Sequence, residues 1–317
     1  MRRTTLGDSG PAVGAIGLGC MGMTHAYDPT GRDDARSIEV IHRAIDLGAT
    51  LIDTADVYGP FTNESLVGRA LAGRREEVVL ATKVGLVFDG PEGALRRDGR
   101  PEHVRQSIDD SLRRLGVDDV DLYQLHRVDP QVPIEESWGA MAETVAAGKA
   151  RAIGLSEVGV EEIARAAAVH PVASVQSELS LWTRGPVAEV VPYCDRHGIA
   201  FLPFSPLGRG FLTGRFASAA DLPEGDWRRT NPRFQDSAIR ANQAIVERVR
   251  AVAERVGATA AQVALAWTCA QGRYVIPIPG TKTLRYLEDN TGAGDLTLSA
   301  DDLAALDELP TALGARY

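Results

Sequence analysis

Short apolar runs alternate with amphipathic segments along most of this chain. The runs are rich in Val, Ile, Leu and Ala and end at glycine or a polar residue, which is typical of buried β-strands. Their centres lie near residues 16, 51, 80, 122, 153, 175, 201 and 275. Apolar residues at helical spacing follow the runs, as at Ile38, Ile41 and Ile45 in the segment 33–47. The pattern therefore predicts eight successive strand–helix units.

Glycine, proline and capping residues set the predicted ends of the helices. Pro101 and Pro133 each open a helix, because proline is tolerated in the first turn. Asn63 is predicted as the N-cap of a helix over residues 63–71. The other predicted helices cover residues 160–168, 186–197, 237–256, 260–270, 283–290 and 300–309.

These units predict a single (β/α)8 barrel of the α/β class, because no linker, composition shift or low-complexity segment divides residues 1–317. Residues 2–14 predict an N-terminal β-hairpin, and extra helices are expected after the seventh and eighth strands. Long polar loops are predicted at 85–100 and 204–235. The alternative is a doubly wound sheet, which requires a GxGxxG turn between a strand and a helix. The glycines of residues 17–22 have that spacing, but a loop follows them, which favours the barrel.

The composition is that of an ordinary globular protein, with 44% hydrophobic and 24% charged residues among 317. A net charge of −9 argues against nucleic acid and anionic membranes as partners. No apolar run approaches the roughly 20 residues of a membrane span, and the first residues show no signal peptide. Cys20, Cys194 and Cys269 are widely spaced, which fits neither a disulfide framework nor a metal site. We therefore expect a protein of a reducing compartment, the cytoplasm.

Four polar side chains lie at or just past the ends of three successive predicted strands. Asp53 ends the second strand and Tyr58 follows five residues later, while Lys83 and His126 end the third and fourth strands. In a barrel all parallel strands end on one face, where active sites form. Each residue by itself has an ordinary structural explanation, such as helix capping or surface exposure. Their combination on neighbouring strand ends favours a functional site.

The chemistry of these four residues suits the reduction of a carbonyl group. A buried lysine beside a phenol is expected to lower the pKa of Tyr58, which would then donate a proton near neutral pH. Asp53 would hold Lys83 in place, and His126 would orient the carbonyl by hydrogen bonding. Because no protein side chain donates hydride, the reaction requires a nicotinamide cofactor.

Motifs along nearly the whole chain resemble those of the aldo-keto reductases. They are the DTADVYG motif of residues 53–59, TKV at 82–84, LH at 125–126, GLS at 154–156, Gln176, FSPLG at 204–208 and IPGTK at 278–282. Within this family, residues 19–23 and 181–184 most resemble the branch that includes pyridoxal and perakine reductases. The resemblance implies that Tyr58 is the general acid, that Asp53 and Lys83 tune it, and that His126 orients the carbonyl.

The resemblance also implies an NADPH/NADP+ cofactor and the residues that bind it. Ser156 and Gln176 would bind the nicotinamide carboxamide, and Phe204 would stack on the ring. The full set of expected cofactor contacts is Gly19, Cys20, Met21, Asp53, Ser156, Gln176, Phe204, Ser205, Pro206, Leu207, Gly208, Gly210, Gly280, Thr281, Lys282, Arg285 and Asn290. Glu157 stands where many members have Asn, and a carboxylate cannot donate to the carboxamide oxygen.

Lys282 and Arg285 lie at the start of the helix predicted over residues 283–290. Cations at a helix N-terminus oppose the helix dipole, so a nearby anion is expected. Phosphate sites of barrels often lie after the seventh and eighth strands, beside the start of a short helix. The resemblance identifies this anion as the adenosine 2′-phosphate of NADP and places adenine near Asn290.

Two other functional classes fit parts of the sequence. An NADPH-binding redox-sensing or regulatory subunit would share the fold and the four residues with little turnover, but no partner-binding extension is seen. A metal-dependent barrel hydrolase would need a ligand cluster, whereas the six histidines are scattered and no metal site is predicted. The favoured partner is a small-molecule carbonyl substrate. Its identity, the direction of the reaction in the cell and a homo-oligomeric state stay open.

Overall fold

Strands and helices alternate along the chain in this computed structural model, which describes residues 1–89 and 94–316. The strands are β1 (Arg3–Thr5), β2 (Ala12–Gly14), β3 (Leu18–Gly19), β4 (Leu51–Asp53), β5 (Val79–Val84), β6 (Leu86–Phe88), β7 (Leu95–Arg97), β8 (Val120–Leu125), β9 (Ala150–Ser156), β10 (Ser174–Glu178) and β11 (Ala200–Phe204). The α-helices are α1 (Asp34–Asp46), α2 (Thr62–Leu71), α3 (Pro101–Leu115), α4 (Ile134–Ala146), α5 (Val160–Ala167), α6 (Val190–Arg196), α7 (Asp236–Val256), α8 (Ala260–Cys269), α9 (Leu284–Gly292) and α10 (Ala300–Asp307). None of the helices in the described residues is both long and apolar enough to cross a membrane.

The strands β3, β4, β5, β8, β9, β10 and β11 form a parallel sheet in this order. Residues 274–280 close it, because Ile276 donates to a carbonyl of β11 at 2.9 Å and Pro277 accepts from Gly17, beside β3, at 2.9 Å. Pro277 and Pro279 have no N–H group, so this segment lacks the hydrogen-bond ladder of a regular strand. The eighth predicted strand is therefore an irregular segment, and the sheet forms the predicted (β/α)8 barrel.

Alternate residues of each strand point into the barrel, and their chemistry changes along the barrel axis. The apolar inward residues form one cluster with the β1–β2 hairpin, made of Leu6, Val13, Leu51, Val79, Ala81, Leu122, Ala200, Leu202, Ile276 and Ile278. The next inward positions are polar, and Asp53, Lys83 and Gln124 are all buried there. Intervening residues such as Ile52 and Tyr123 belong to the larger core that includes the helices. The alternation therefore places a polar layer at the carboxyl end of the barrel.

The prediction that Asn63 caps a helix is wrong. Helix α2 begins at Thr62, and the residue before it, Phe61, makes no side-chain cap. Asn63 is instead buried within the first turn, where its Oδ1 accepts from the Thr54 hydroxyl at 2.6 Å. Its Nδ2 donates to the carbonyl oxygen of Cys20 at 3.0 Å. The amide group is used in tertiary contacts that tie α2 to the ends of β3 and β4.

Other predicted boundaries differ from the structure where the local signal is weak. The predicted loop at 85–100 contains the antiparallel pair β6–β7, and its residues 90–93 lie outside the described residues. Both strands are exposed or half-buried, so they lack the apolar alternation that would predict them. The helix predicted from Pro186 begins only at Val190, after a 3₁₀ turn at Gly185–Val187. The long loop before α7 contains several short 3₁₀ turns.

Candidate active site

Lys83 lies at the centre of a buried polar cluster at the carboxyl end of the barrel. Its ammonium group donates to Oδ1 of Asp53 at 2.5 Å and to the carbonyl oxygen of Thr54 at 2.8 Å. It also donates to the hydroxyl oxygen of Tyr58 at 3.4 Å. The ring of His126 lies edge-on to the ring of Tyr58, with 5.8 Å between the ring centres. The barrel thus brings together the four side chains that were predicted to converge.

The ionisation of this cluster is set by burial as well as by charge. Burial raises the pKa of Tyr58, and the charge of Lys83 opposes this only in part, so the pKa stays above its usual value. Burial lowers the pKa of Lys83, but the charge of Asp53 and the oxygen of Tyr58 outweigh it and raise the pKa above its usual value. The expectation of a lowered pKa for Tyr58 is therefore wrong, because the loss of hydration dominates. At neutral pH Lys83 is charged and Tyr58 holds the proton that a general acid must donate.

His126 is neutral in this environment. Burial, followed by the positive charges of Lys83 and Arg127, lowers the pKa of His126 well below its usual value. Within residues 1–89 and 94–316, Nδ1 of His126 is buried and has no hydrogen-bond partner. A proton on Nδ1 would therefore be unsatisfied, which favours the tautomer with its proton on Nε2. The ring is thus equipped to donate one hydrogen bond from Nε2.

Two buried amides bind the carboxylate of Asp53, and the sequence analysis predicted neither contact. Nε2 of Gln124 donates to Oδ2 of Asp53 at 3.2 Å, and Nε2 of Gln176 donates to the same oxygen at 2.8 Å. Because Oδ1 binds Lys83, both oxygens of Asp53 are held in place. Strand alternation is a signal that could have identified Gln124, since it lies two residues before His126.

Ser156 ends β9 and is held by an arginine from the neighbouring strand end. Nη1 of Arg127 donates to Oγ of Ser156 at 3.2 Å and to the carbonyl oxygen of His126 at 2.6 Å. Because Oγ of Ser156 accepts this bond, its hydroxyl hydrogen remains available as a donor. The sequence analysis did not single out Arg127, although it directly follows a predicted site residue.

Glu157, which stands where an asparagine was expected, uses its carboxylate in contacts within the protein. It adopts a left-handed backbone conformation with φ of 55°, which asparagine tolerates better than glutamate. One carboxylate oxygen accepts the backbone N–H of Glu178 at 2.9 Å, and the other pairs with Arg316. The carboxylate is therefore bound by other parts of the protein.

The barrel closes at two glycines that were expected to contact the cofactor. Gly19 and Gly280 form a parallel bridge, and a Cβ atom at Gly19 would lie only 2.8 Å from the carbonyl oxygen of Ile278. Cys20 is fully buried, and burial raises the pKa of its thiol above the usual range. Its backbone N–H donates to the carbonyl oxygen of Asp53 at 2.9 Å. These expected contacts therefore lie where β3 meets the closing segment.

Apolar and aromatic side chains pack around Tyr58. Met21, an expected cofactor contact, and Phe88 both pack against its apolar cluster. The ring of His25 stacks on Tyr58 at 6.3 Å between ring centres, with an angle of 17° between the planes. His25 was not predicted, because it lies in a loop without regular hydrophobic spacing. Together these residues surround Tyr58 with apolar and aromatic side chains.

The loop after β11 has an unusual backbone. Its expected cofactor contacts are Ser205, Pro206, Leu207, Gly208 and Gly210, which follow the half-buried Phe204 at the end of the strand. Ser205 and Arg209 have φ values of 49° and 58°, and Gly208 and Gly210 are also left-handed. Left-handed backbone is unfavourable for residues other than glycine, and such strain is concentrated at ligand-binding loops.

Lys282 is paired with an acidic residue from the loop before α1. Its Nζ donates to the carbonyl oxygen of Asp28 at 2.8 Å and to the carboxylate of Asp28 at 3.3 Å. The backbone N–H of Asp28 in turn donates to Asp226 at 3.1 Å. Segments 24–32 and 218–230 are thus joined beside the residue expected to bind the 2′-phosphate.

The other expected contacts of the adenosine phosphate lie around the start of α9. The hydroxyl oxygen of Thr281 accepts the backbone N–H of Thr283 at 3.1 Å. Arg285 is exposed in the first turn, whereas Asn290 is buried on the opposite end of the helix. These residues and Lys282 therefore all lie within the segment 281–290.

The chain is similar to known proteins along nearly its whole length. Residues 15–310 match the profile of the Aldo/keto reductase family. The chain is 44% identical over 318 residues to "Probable aldo-keto reductase 1" of Glycine max, covering 98% of this chain and 90% of that protein. A glycerol dehydrogenase from Gluconobacter oxydans is 32% identical with a TM-score of 0.86, covering 95% of this chain and 92% of that chain. An aldo/keto reductase from Klebsiella pneumoniae in complex with NADP and acetate is 27% identical with a TM-score of 0.75, covering 97% of this chain and 95% of that chain.

Proposed function

This chain belongs to the aldo/keto reductase family, and we propose that it reduces an aldehyde or a ketone to an alcohol with NADPH. The observation that carries this proposal is the buried contact of the Lys83 ammonium with both Asp53 and the Tyr58 hydroxyl. NADPH, when bound, supplies the hydride, and the protein supplies the proton. The cofactor is supported by the family and by the Klebsiella relative that was solved with NADP.

Tyr58 is the proposed proton donor. Its hydroxyl proton passes to the carbonyl oxygen of the substrate as hydride reaches the carbonyl carbon, which leaves an alcohol and a phenolate. The phenolate is stabilised by the ammonium of Lys83, and the carboxylate of Asp53 stabilises the charged form of Lys83. His126 would orient the carbonyl by donating from Nε2, because its neutral ring has no partner for a proton on Nδ1. A proton from solvent then restores Tyr58.

Ser156 and Gln176 supply complementary groups for a carboxamide. The Ser156 oxygen already accepts from Arg127, so its O–H can donate to the carboxamide oxygen. Nε2 of Gln176 is bound to Asp53, so its Oε1 can accept from the carboxamide nitrogen. Glu157 is not needed for either bond, which supports nicotinamide binding despite the loss of the usual asparagine.

The adenosine 2′-phosphate is proposed to bind at Lys282 and Arg285. Both cations lie at or before the N-terminus of α9, where backbone N–H groups also favour an anion. Lys282 would exchange the carboxylate of Asp28 for the phosphate, while Arg285 is exposed and accessible. This arrangement favours NADPH over NADH as the cofactor.

The finer assignments are part of the same proposal. We propose the pyridoxal and perakine reductase-like branch from residues 19–23 and 181–184, and one cytoplasmic domain over residues 1–317. The glycerol dehydrogenase relative is consistent with chemistry between an alcohol and a carbonyl compound. Residues 1–89 and 94–316 contain no group of three or more His, Cys, Asp or Glu residues that could hold a metal ion.

The test is NADPH oxidation by the purified protein with a panel of aliphatic and aromatic aldehydes and ketones. Tyr58→Phe serves as the matched control, because it removes only the proposed proton donor. Reduction by the wild type and its loss in the variant are expected. Tight NADPH binding with negligible turnover on every carbonyl compound would instead indicate a redox-sensing or regulatory subunit.

A further inference from the structure

A pocket with a volume of about 360 Å³ opens between the ends of β8 and β9, beside the candidate active site. It is lined by Arg97, Arg127, Val128, Pro130, Glu157, Glu162 and Arg316. Arg127 directly follows His126, and Glu157 directly follows Ser156. The pocket therefore shares two strand ends with the residues proposed to orient the carbonyl and the nicotinamide, and no role has yet been given to it.

Arg127 lines this pocket and has hydrogen-bond donors that the described residues leave unused. A guanidinium group has five N–H donors, and both hydrogen bonds of Arg127 to His126 and Ser156 come from Nη1. Among residues 1–89 and 94–316, the donors on Nε and Nη2 have no protein acceptor, and Arg127 has no carboxylate partner. The Nε–Nη2 edge of arginine is the side-on fork that matches the two oxygens of a carboxylate or phosphate.

Arg97 adds a second positive charge that the described residues do not neutralise. Its Nη1 donates to the neutral carbonyl oxygen of Val128 at 3.0 Å, and it makes no ion pair within the described ranges. Among the other charged residues of the wall, Glu162 is the one without an ion pair in the described residues. Arg316 pairs with Glu157, and the carboxylate of Glu162 accepts the backbone N–H of Gly159 at 2.9 Å at the start of α5.

We propose that this pocket binds an anionic group, a carboxylate or a phosphate, on the carbonyl substrate. Arg127 would hold the anion through its Nε–Nη2 edge, and Arg97 would add a second cationic contact. Arg127 is held rigidly by its Nη1 bonds to His126 and Ser156, so the anion and the reacting carbonyl are positioned by the same strand ends. The inference rests on the proposed reductase function and names the class of substrate, an anionic aldehyde or ketone.

The test compares aldehydes that differ in one charged group. The first pair is 4-carboxybenzaldehyde and 4-methylbenzaldehyde, and the second is D-glyceraldehyde 3-phosphate and D-glyceraldehyde. For the wild type, kcat/KM is expected to be higher for the anionic member of at least one pair, and the preferred pair distinguishes carboxylate from phosphate. Arg127→Gln and Arg97→Gln are each expected to lower the anionic-to-neutral ratio of kcat/KM, by about tenfold for Arg127→Gln.

Arg96→Gln is the matched control, because Arg96 lies on the same exposed strand but pairs with Asp98 instead of lining the pocket. It is expected to leave the ratio unchanged. A wild type that prefers the neutral member of both pairs, or a ratio that neither pocket variant lowers, would overturn the proposed subsite.

A binding measurement separates this inference from the reductase proposal. The alcohol product 4-(hydroxymethyl)benzoate is titrated into the wild type, both pocket variants and Arg96→Gln in the presence of NADP+. Weaker binding to Arg127→Gln and Arg97→Gln than to Arg96→Gln supports the subsite even if no aldehyde is turned over. Equal binding to all variants rejects the subsite, whereas absence of turnover with every aldehyde, anionic and neutral, rejects only the reductase function.

Discussion

Gln176 donates a hydrogen bond of 2.8 Å from Nε2 to Oδ2 of Asp53, while the other oxygen of that carboxylate binds Lys83. Gln176 is the proposed acceptor for the nicotinamide carboxamide, and Lys83 is the proposed partner of the proton donor. One carboxylate therefore joins the cofactor side of the site to the proton-donating side. Gln124 of β8 donates to the same oxygen as Gln176. The position of Lys83 therefore depends on residues from the three strands β4, β8 and β10.

Replacement of Tyr58 by Phe removes the proposed proton donor while keeping the ring that packs against His25 and His126. We expect kcat to fall by about 10²- to 10⁴-fold, as for the loss of a general acid. The affinity for NADPH should change little, because the hydroxyl group is not a proposed cofactor contact. Steady-state rates and calorimetric titration of NADPH measure the two effects separately, and retained kcat would remove Tyr58 from this role.

Replacement of Gln124 by Met removes one donor from Asp53 without adding charge. A hydrogen bond to a charged group contributes about 1.5–3 kcal/mol, and we expect kcat to fall by about tenfold because Asp53 and Lys83 are held less firmly. Gln106→Met is the matched control, since Gln106 is exposed on α3 and donates a hydrogen bond to Asp110 at the protein surface. A kcat equal to that of the control would show that Gln124 has no part in positioning Asp53.

The double variant Lys282→Ala, Arg285→Ala tests the proposed 2′-phosphate site. Loss of two cationic contacts is expected to weaken NADPH by about a hundredfold or more, with a much smaller effect on NADH. Calorimetric titration of both cofactors gives the ratio. Equal weakening of NADPH and NADH would mean that these residues do not recognise the phosphate.

The variant Asp28→Asn tests whether the carboxylate of Asp28 competes with the 2′-phosphate for Lys282. It removes the carboxylate that pairs with Lys282 but leaves the backbone carbonyl that accepts from the same ammonium. We expect tighter NADPH binding, since the phosphate would no longer compete with a carboxylate, and an unchanged affinity for NADH. Glu247→Gln, which replaces an exposed carboxylate on α7 by an amide, controls for a general effect of surface charge.

The free energy of unfolding is expected to depend on pH, because His126 is buried in its neutral form. Its pKa in the folded protein is well below the usual 6.5, so the unfolded chain binds the proton first as the pH falls. Its contribution is therefore fully present above about pH 6.5 and decreases below it, by at most about 1.4 kcal/mol per pH unit. Urea unfolding of the wild type and His126→Gln at about pH 7.5 and about pH 5.5 measures this term. The variant should lose less stability on acidification; an equal loss would show that His126 does not contribute.

Much of the architecture follows from local patterns in the sequence. Apolar runs such as 120–125, bounded by polar residues, predict strands, and Pro101 predicts the start of a helix at the residue where α3 begins. Strand ends in a parallel barrel share one face, so the sequence alone groups Asp53, Lys83 and His126. Signals of this kind depend only on neighbours in the chain.

The properties that tertiary structure decides depend on residues far apart in the chain. No local pattern specifies several contacts of the site. They are the hydrogen bonds of Asn63 and Gln124, the pairing of Lys282 with Asp28, and the Nη1 bonds of Arg127 that leave its Nε–Nη2 edge unused. The charge of Lys83 suggested a lowered pKa for Tyr58, yet burial raises it. The sequence indicated that Tyr58 and Lys83 meet, whereas the tertiary structure determines how far each loses its hydration, and the loss of hydration dominates the pKa of Tyr58.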